Sequence, residues 1–147
     1  MEIKSWMLQY ENYKPIACTA PCSLYSVLLD NKLMGNPFYG INEQAATKLC
    51  EEPCEFSTTF EVTEKSRYME LKFGGLDTIC DIYLNGRHLD SVNNMHRSFV
   101  YDVQDKLLIG ENSIRLRFGS PIKYFRDMDN RHSVFTNLDT IPGASQL

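Results

Sequence analysis

From Cys54 onward the chain alternates apolar and polar positions with a period of two. Phe56, Thr58, Phe60 and Val62 interleave with Glu55, Ser57, Thr59 and Glu61, which describes a strand with one dry face and one wet face. Met69, Leu71 and Phe73 repeat the pattern. Thr78, Cys80, Ile82 and Leu84 then share one face while Ile79, Asp81 and Tyr83 share the other. Asn85-Gly86 ends that run, and because both residues tolerate positive φ the chain is expected to turn back there into Arg87 to Val92. Phe99, Tyr101 and Val103 mark another strand, and Ile114, Leu116 and Phe118, entered through Gly110-Glu111-Asn112, mark the last.

The N-terminal part has a different period. Leu24, Val27, Leu28 and Leu33 recur at near-helical spacing, with Ser23 placed to cap a helix and Gly35 placed to stop it. Asn42 is placed to cap a second short helix through Glu43, Ala45, Ala46 and Leu49, where Glu43 suits the positive helix end. Between them lies an aromatic loop, Asn36-Pro37-Phe38-Tyr39-Gly40. After Ser120-Pro121 the periodicity dissolves, although Tyr124, Phe125, Val134 and Phe135 are apolar and need a partner. The end at Ile141 to Leu147 has neither cap nor charged tail, so residues 1–147 read as one domain truncated at its C-terminal end.

Six short strands joined by turn chemistry predict an all-β fold, a jelly-roll-like antiparallel β-sandwich with short N-terminal helices. Parallel α/β architecture needs a crossover of about a dozen residues between strands, and the gaps after Cys54 are too short for one.

Charge and composition narrow the function. A net charge of -4 argues against a phosphate-backbone partner, so no nucleic acid is expected, and Arg115 and Arg117 read as solvent-face residues of one strand. No apolar run reaches the roughly 20 residues that span a bilayer, and the start at Met1-Glu2-Ile3-Lys4 lacks a secretory pattern, so no membrane partner and a cytoplasmic location are expected. Five cysteines, Cys18, Cys22, Cys50, Cys54 and Cys80, cannot all pair within one chain. Their two Cys-x3-Cys gaps lack a neighbouring His, and they read as small reduced thiols rather than a metal site; no cofactor is implied.

His88, His96 and His132 lie in no nucleophile motif such as Gly-x-Ser-x-Gly, and His96 reads as a loop hydrogen-bonding residue. Among the carboxylates, Asp77 beside two glycines reads as a turn-fixing residue and Asp81 as a solvent-face residue. Sugar recognition needs flat apolar faces edged by polar groups. Phe38 and Tyr39 with Asn36, Asn42 and Glu43 supply both, so Asn36, Tyr39, Asn42 and Glu43 are the candidate rim residues, set against simple packing of the loop on its own domain.

Taken in order, Trp6, Leu28 to Leu33, Asn36-Pro37-Phe38-Tyr39-Gly40-Ile41-Asn42-Glu43, Gly75-Leu76-Asp77-Thr78, Ile82-Tyr83-Leu84-Asn85-Gly86, Asn94-Met95-His96 and Gly110-Glu111-Asn112 span most of the chain. In these segments the chain resembles the N-terminal β-sandwich domain of β-mannosidases in glycoside hydrolase family two. The resemblance implies a non-catalytic domain that precedes an immunoglobulin-like domain and a catalytic barrel, in an enzyme that hydrolyses terminal β-mannosides with retention. The barrel is then the partner, with carbohydrate reached through the parent enzyme, and the catalytic glutamates lie outside this chain. A Trp-Asp-Trp motif expected late in such a domain, whose Asp helps to bind mannose, does not occur here, and an apolar face left open by truncation would favour a homodimer. The alternatives are a stand-alone carbohydrate-binding module, or the same domain of a β-glucuronidase or β-galactosidase.

Overall fold

The computed structural model describes residues 1–49 and 51–131; Cys50, His132, Val134 and Phe135 lie outside the described residues. In chain order the elements are β1 (Ser5–Tyr10), β2 (Ile16–Thr19), α1 (Leu24–Asp30), α2 (Asn42–Leu49), β3 (Cys54–Val62), β4 (Glu70–Phe73), β5 (Cys80–Leu84), β6 (Arg87–Val92), β7 (Phe99–Asp102), β8 (Gly110–Phe118) and α3 (Pro121–Arg131). Every strand pairing among them is antiparallel. A six-stranded sheet runs β2-β1-β3-β8-β5-β6, and β4-β7 form a second sheet of two strands, so the predicted all-β sandwich is what forms.

The wet and dry faces fall where the alternation places them. Leu8, Phe56, Ile82, Ile114 and Leu116 turn inward from the large sheet and share one apolar cluster with Phe73 and Val103 on the small-sheet side. Each fully buried side chain of this kind contributes about 1.5–3 kcal/mol. Thr58 is a polar residue on that inward face, and its hydroxyl donates to the Ser5 carbonyl oxygen at 2.8 Å. Tyr101 of β7 ties the small sheet to the large one by donating its hydroxyl to the Asp90 carboxylate at 2.8 Å. Burial, the hydrogen bond to Asp90 and its charge all push the Tyr101 phenol up. Between the layers remains a cavity of ≈ 1140 Å³, lined by Trp6, Phe56, Phe73, Leu76, Leu116 and Phe118 among others.

Two strands and one helix exceed the pattern. β1 buries Trp6, Leu8 and Tyr10 and turns Ser5, Met7 and Gln9 outward, and it pairs with β3 in a register that sets Leu8 opposite Phe56. β2 is a short edge strand beside it. α3 begins where the periodicity dissolves: Ser120 caps it, its hydroxyl accepting from the Lys123 N–H at 3.1 Å, and Pro121 occupies the first turn, where a missing N–H costs nothing. Lys123 and Arg126 pair with Glu52 at 2.9 Å and Glu51 at 3.2 Å, holding α3 to the segment before β3.

Boundaries also shift. β5 starts at Cys80, with Thr78 half-buried before it and donating its hydroxyl to the Asp77 carboxylate. The Asn85-Gly86 turn forms as expected, at φ 51 and 76. α1 has the Ser23 cap, completed by Ser26 as a capping box, but it ends at Asn31 and not at Gly35. Lys32 takes the left-handed position at φ 57, and Lys32 N–H and Leu33 N–H close back on the Leu29 and Leu28 carbonyls at 3.0 and 2.8 Å. Those paired bonds satisfy the last carbonyls, so the helix needs no glycine.

Candidate functional site

The loop from Asn36 to Glu43 is suspended between α1 and α2. Val27 and Leu28 bury the inner face of α1 in the core. Tyr25 on α1 donates its hydroxyl to the Ala46 carbonyl at 3.1 Å, and Tyr10 on β1 donates to the Leu49 carbonyl at 3.0 Å, so α2 hangs from the sandwich by two phenols. A buried tyrosine ring brings a hydroxyl that must find a partner, and here the partner is the helix backbone.

Inside the loop the polar groups bond one another. Asn36 Oδ1 accepts from the Phe38 N–H at 3.0 Å, and the Asn36 carbonyl accepts from the Tyr39 N–H at 3.2 Å and from Asn42 Nδ2 at 3.0 Å. Asn42 is therefore the first residue of α2 and a brace across the loop, not a cap whose oxygen accepts from the helix. Gly35 is what lets it lie there: a methyl group at Gly35 would come 2.9 Å from the Asn42 amide nitrogen. This close approach is the physical reason for a glycine that does not stop α1.

The apolar residues face the other way. Phe38 is 93 % exposed, Ile41 78 % and Tyr39 71 %. Glu43 is exposed in the first turn of α2 and makes no ion pair among the described residues. Of the four candidate rim residues, Asn36 and Asn42 are thus brought into contact with each other, while Tyr39 and Glu43 stay open to a ligand or a partner. Ile41 belongs to the same exposed tip; an apolar side chain set between Gly40 and Asn42, directly after the aromatic pair, was the signal for it. The packing of this tip on its own domain, weighed from sequence, is not what forms.

Two polar clusters lie elsewhere. Asn112 is 1 % exposed, with Nδ2 donating to the Leu108 and Gly110 carbonyls at 2.8 and 3.0 Å and Oδ1 accepting from the Leu108 N–H and from Asn85 Nδ2, both at 2.8 Å. Asn85 also accepts from the Ser113 N–H at 2.9 Å, so the hairpin residue stitches β5 to β8. On the outer face of the large sheet, Ser91 Oγ donates to Asp81 at 2.6 Å and sits 3.0 Å from His88 Nε2. Because the carboxylate takes the hydroxyl proton directly, the imidazole is not placed to accept it, and the trio is not a nucleophile with its base. Beside it the Arg115 guanidinium lies 4.2 Å from the Tyr83 ring centre and pairs with Glu55 at 3.5 Å, which is the solvent-face role expected of that arginine.

Among the described residues no group of three or more His, Cys, Asp or Glu could hold a metal ion, and no helix is long and apolar enough to cross a membrane. The molecule is an antiparallel β-sandwich domain that carries a braced, apolar-tipped loop.

Comparison with known proteins makes this specific. Residues 6–146 match the family described as glycosyl hydrolase 2 galactose-binding domain-like. The β-mannosidase of Rattus norvegicus is 25% identical over 146 residues, 97% of this chain and 16% of that protein. A probable β-mannosidase of Caenorhabditis elegans is 28% identical over 108 residues, 72% of this chain and 12% of that protein. The crystal structure of a β-D-mannosidase from Dictyoglomus thermophilum superposes with a TM-score of 0.86 at 26% identity, over 97% of this chain and 19% of that one. The chain belongs to the glycosyl hydrolase 2 galactose-binding domain-like family, as its resemblance to the N-terminal domain of β-mannosidase-like enzymes implied. It spans between 12% and 16% of the length of these two curated relatives.

Proposed function

We propose that the chain is the non-catalytic N-terminal domain of a retaining β-mannosidase, packed on the catalytic domain of the same polypeptide and presenting Tyr39 and Glu43 at the rim of the mannoside site. The observation that carries this reading is the braced loop. Its backbone and amide groups are internally bonded, while Phe38, Tyr39 and Ile41 are left facing outward. A rigid apolar tip of this kind suits a docking surface or a sugar face, because its ordering has been completed before binding. Asn36 and Asn42 act as positioning residues and do not touch sugar. Relatives named β-mannosidases, of whose chains this one covers 16% and 19%, support the reading.

The test is kinetic. In the parent enzyme Tyr39→Ala or Glu43→Ala lowers kcat/KM for an aryl β-mannoside by about tenfold or more, the scale of one lost positioning contact, with the melting temperature unchanged. Unchanged kcat/KM in both variants removes the rim role and leaves only docking. The isolated chain shows no turnover; measurable hydrolysis by it overturns the division of labour. A calorimetric titration of the isolated chain with mannose and manno-oligosaccharides is flat, whereas heat at millimolar sugar points instead to a stand-alone carbohydrate-binding module.

A further inference from the structure

The small sheet ends at β4 on one side and at β7 on the other, and the two edges differ. Glu70, Leu71, Lys72 and Phe73 of β4 all border the cavity between the layers, whereas no residue of β7 does. Leu71 and Phe73 turn inward while Glu70 and Lys72 turn outward, and both faces of one strand meet the same cavity only where it runs along the strand's edge. That edge is also open to hydrogen bonding. The Val103 N–H donates to the Met69 carbonyl at 3.0 Å, in the register that sets Leu71 opposite Tyr101. The alternation of an antiparallel ladder therefore points the main-chain groups of Leu71 and Phe73 at β7 and those of Glu70 and Lys72 away from it. The outer charges of this sheet lack partners as well. Glu70 lies opposite Asp102, a like-charged pair, and none of Glu70, Asp102 and Lys72 makes an ion pair among the described residues.

We propose that the free edge of β4 is a dimerisation surface whose partner is β4 of a second copy of this chain, paired antiparallel across a twofold axis at Leu71. Keeping dry faces with dry and wet with wet requires opposed residues to share a face, so the axis passes through a residue and not between neighbours. An axis at Glu70 sets that carboxylate against itself, and one at Lys72 sets ammonium against ammonium. Axes at Met69 or Phe73 leave both charges without a counter-charge. At Leu71 every opposed pair matches. Glu70 of each copy meets Lys72 of the other on the outer face, and Met69 meets Phe73 beside the Leu71 self-pair on the inner face. Glu70 and Lys72 are also the residues whose N–H and carbonyl groups point off the edge, so they exchange main-chain bonds across the axis. Leu71 then forms a non-hydrogen-bonded pair, the kind that brings side chains closer. The cation missing beside Glu70 and Asp102 arrives as Lys72 of the other copy. The small sheet becomes β7-β4-β4-β7, and the edge that one chain leaves open is closed by a self-complementary contact. The proposal does not rest on the mannosidase reading, and either can fail without the other.

Sedimentation velocity of the purified chain at rising concentration shows a monomer–dimer equilibrium. Glu70→Lys and Lys72→Glu each turn the outer pairs into like charges, and each weakens self-association by about tenfold or more, with circular dichroism showing the fold retained. Mixed together, the two variants pair with each other at least as tightly as the native chain pairs with itself, because one copy then carries only cations at these positions and the other only anions. The register is read separately. A residue on the axis faces its own twin at about 4.5 Å between α-carbons, close enough for a disulfide. Oxidised Leu71→Cys therefore yields the tryptic peptide from Tyr68 to Lys72 joined to itself. A chain that stays monomeric to millimolar concentration overturns the proposal, and so do folded charge variants that associate like the native chain or fail to pair when mixed. A monomer whose Glu70 and Lys72 amides resist hydrogen exchange overturns it too, because another segment of the same chain then covers the edge.

Discussion

Asn112→Ala tests whether a side chain buried at the entry of β8 holds that strand in register. The amide makes four hydrogen bonds, to the Leu108 carbonyl, the Gly110 carbonyl, the Leu108 N–H and Asn85 Nδ2. A net contribution near 1 kcal/mol for each, less whatever water restores at the partly exposed loop ends, puts the loss at about 3–4 kcal/mol. For a domain of this size that lowers the melting temperature by about 10 °C. Urea denaturation followed by tyrosine and tryptophan fluorescence reads the free energy, and an unchanged slope shows that the unfolding reaction is the same. Asn85→Ala removes the shared Asn85–Asn112 bond from the other side, so the double variant is less destabilised than the sum of the singles by about 1 kcal/mol. Asn112→Asp keeps the acceptor but sets an oxygen against two carbonyls. Its new carboxyl is held protonated by the fold, so stability relative to the native chain is better below the ordinary carboxyl pKa near ~4 and worse above it. A loss under about 1 kcal/mol for Asn112→Ala, or strict additivity in the cycle, would refute the network as a structural element.

Tyr10→Phe and Tyr25→Phe each cost about 1 kcal/mol and raise amide hydrogen exchange in α2 ahead of the sheets, because each removes one hydroxyl that holds that helix. The raised Tyr101 phenol means that the unfolded chain ionises first, so this contribution is intact below about pH 10 and is lost as pH climbs above it; Tyr101→Phe flattens the alkaline fall measured by urea midpoints. Lys32→Gly relieves the left-handed backbone at φ 57 and raises stability by about 0.5–1 kcal/mol, read as a higher urea midpoint. Phe38→Ser changes the stability of the isolated chain by less than about 0.5 kcal/mol, since a side chain this exposed has no packing to lose.

The sandwich was legible where one strand face is dry and the other wet. β3, β5 and β8 announce themselves because Phe56, Ile82 and Ile114 alternate with charged or hydroxyl-bearing neighbours. β1 hides because Met7 puts an apolar residue on the outward face, turning Trp6-Met7-Leu8 into an unbroken run with no period. β2 hides because Ala17 on its outward face makes Ile16-Ala17-Cys18 an apolar run with no period. Ser120-Pro121 reads as the end of a pattern, yet serine before proline is equally the start of a helix, and the choice rests on pairing with Glu51 and Glu52 that only the fold supplies. At the loop, aromatic and amide composition was visible, but composition does not say which amides bond each other. Asn36 and Asn42 were consumed in bracing, which leaves Tyr39 and Glu43 to meet anything external.

Suspending α2 from two phenols has a consequence for how this surface can diversify. Both hydroxyls bind backbone carbonyls, those of Ala46 and Leu49, and a carbonyl is present whatever side chain accompanies it. The anchor therefore places little demand on the helix sequence beyond a small buried residue at Ala46 and the half-buried Leu49 that packs on the core. The exposed positions Gln44, Ala45, Thr47 and Lys48 are free to change while the tip stays at the same height above the sandwich. One scaffold can thus offer different chemistries at one fixed distance, provided that the two tyrosines and the core-facing residues of α2 are kept.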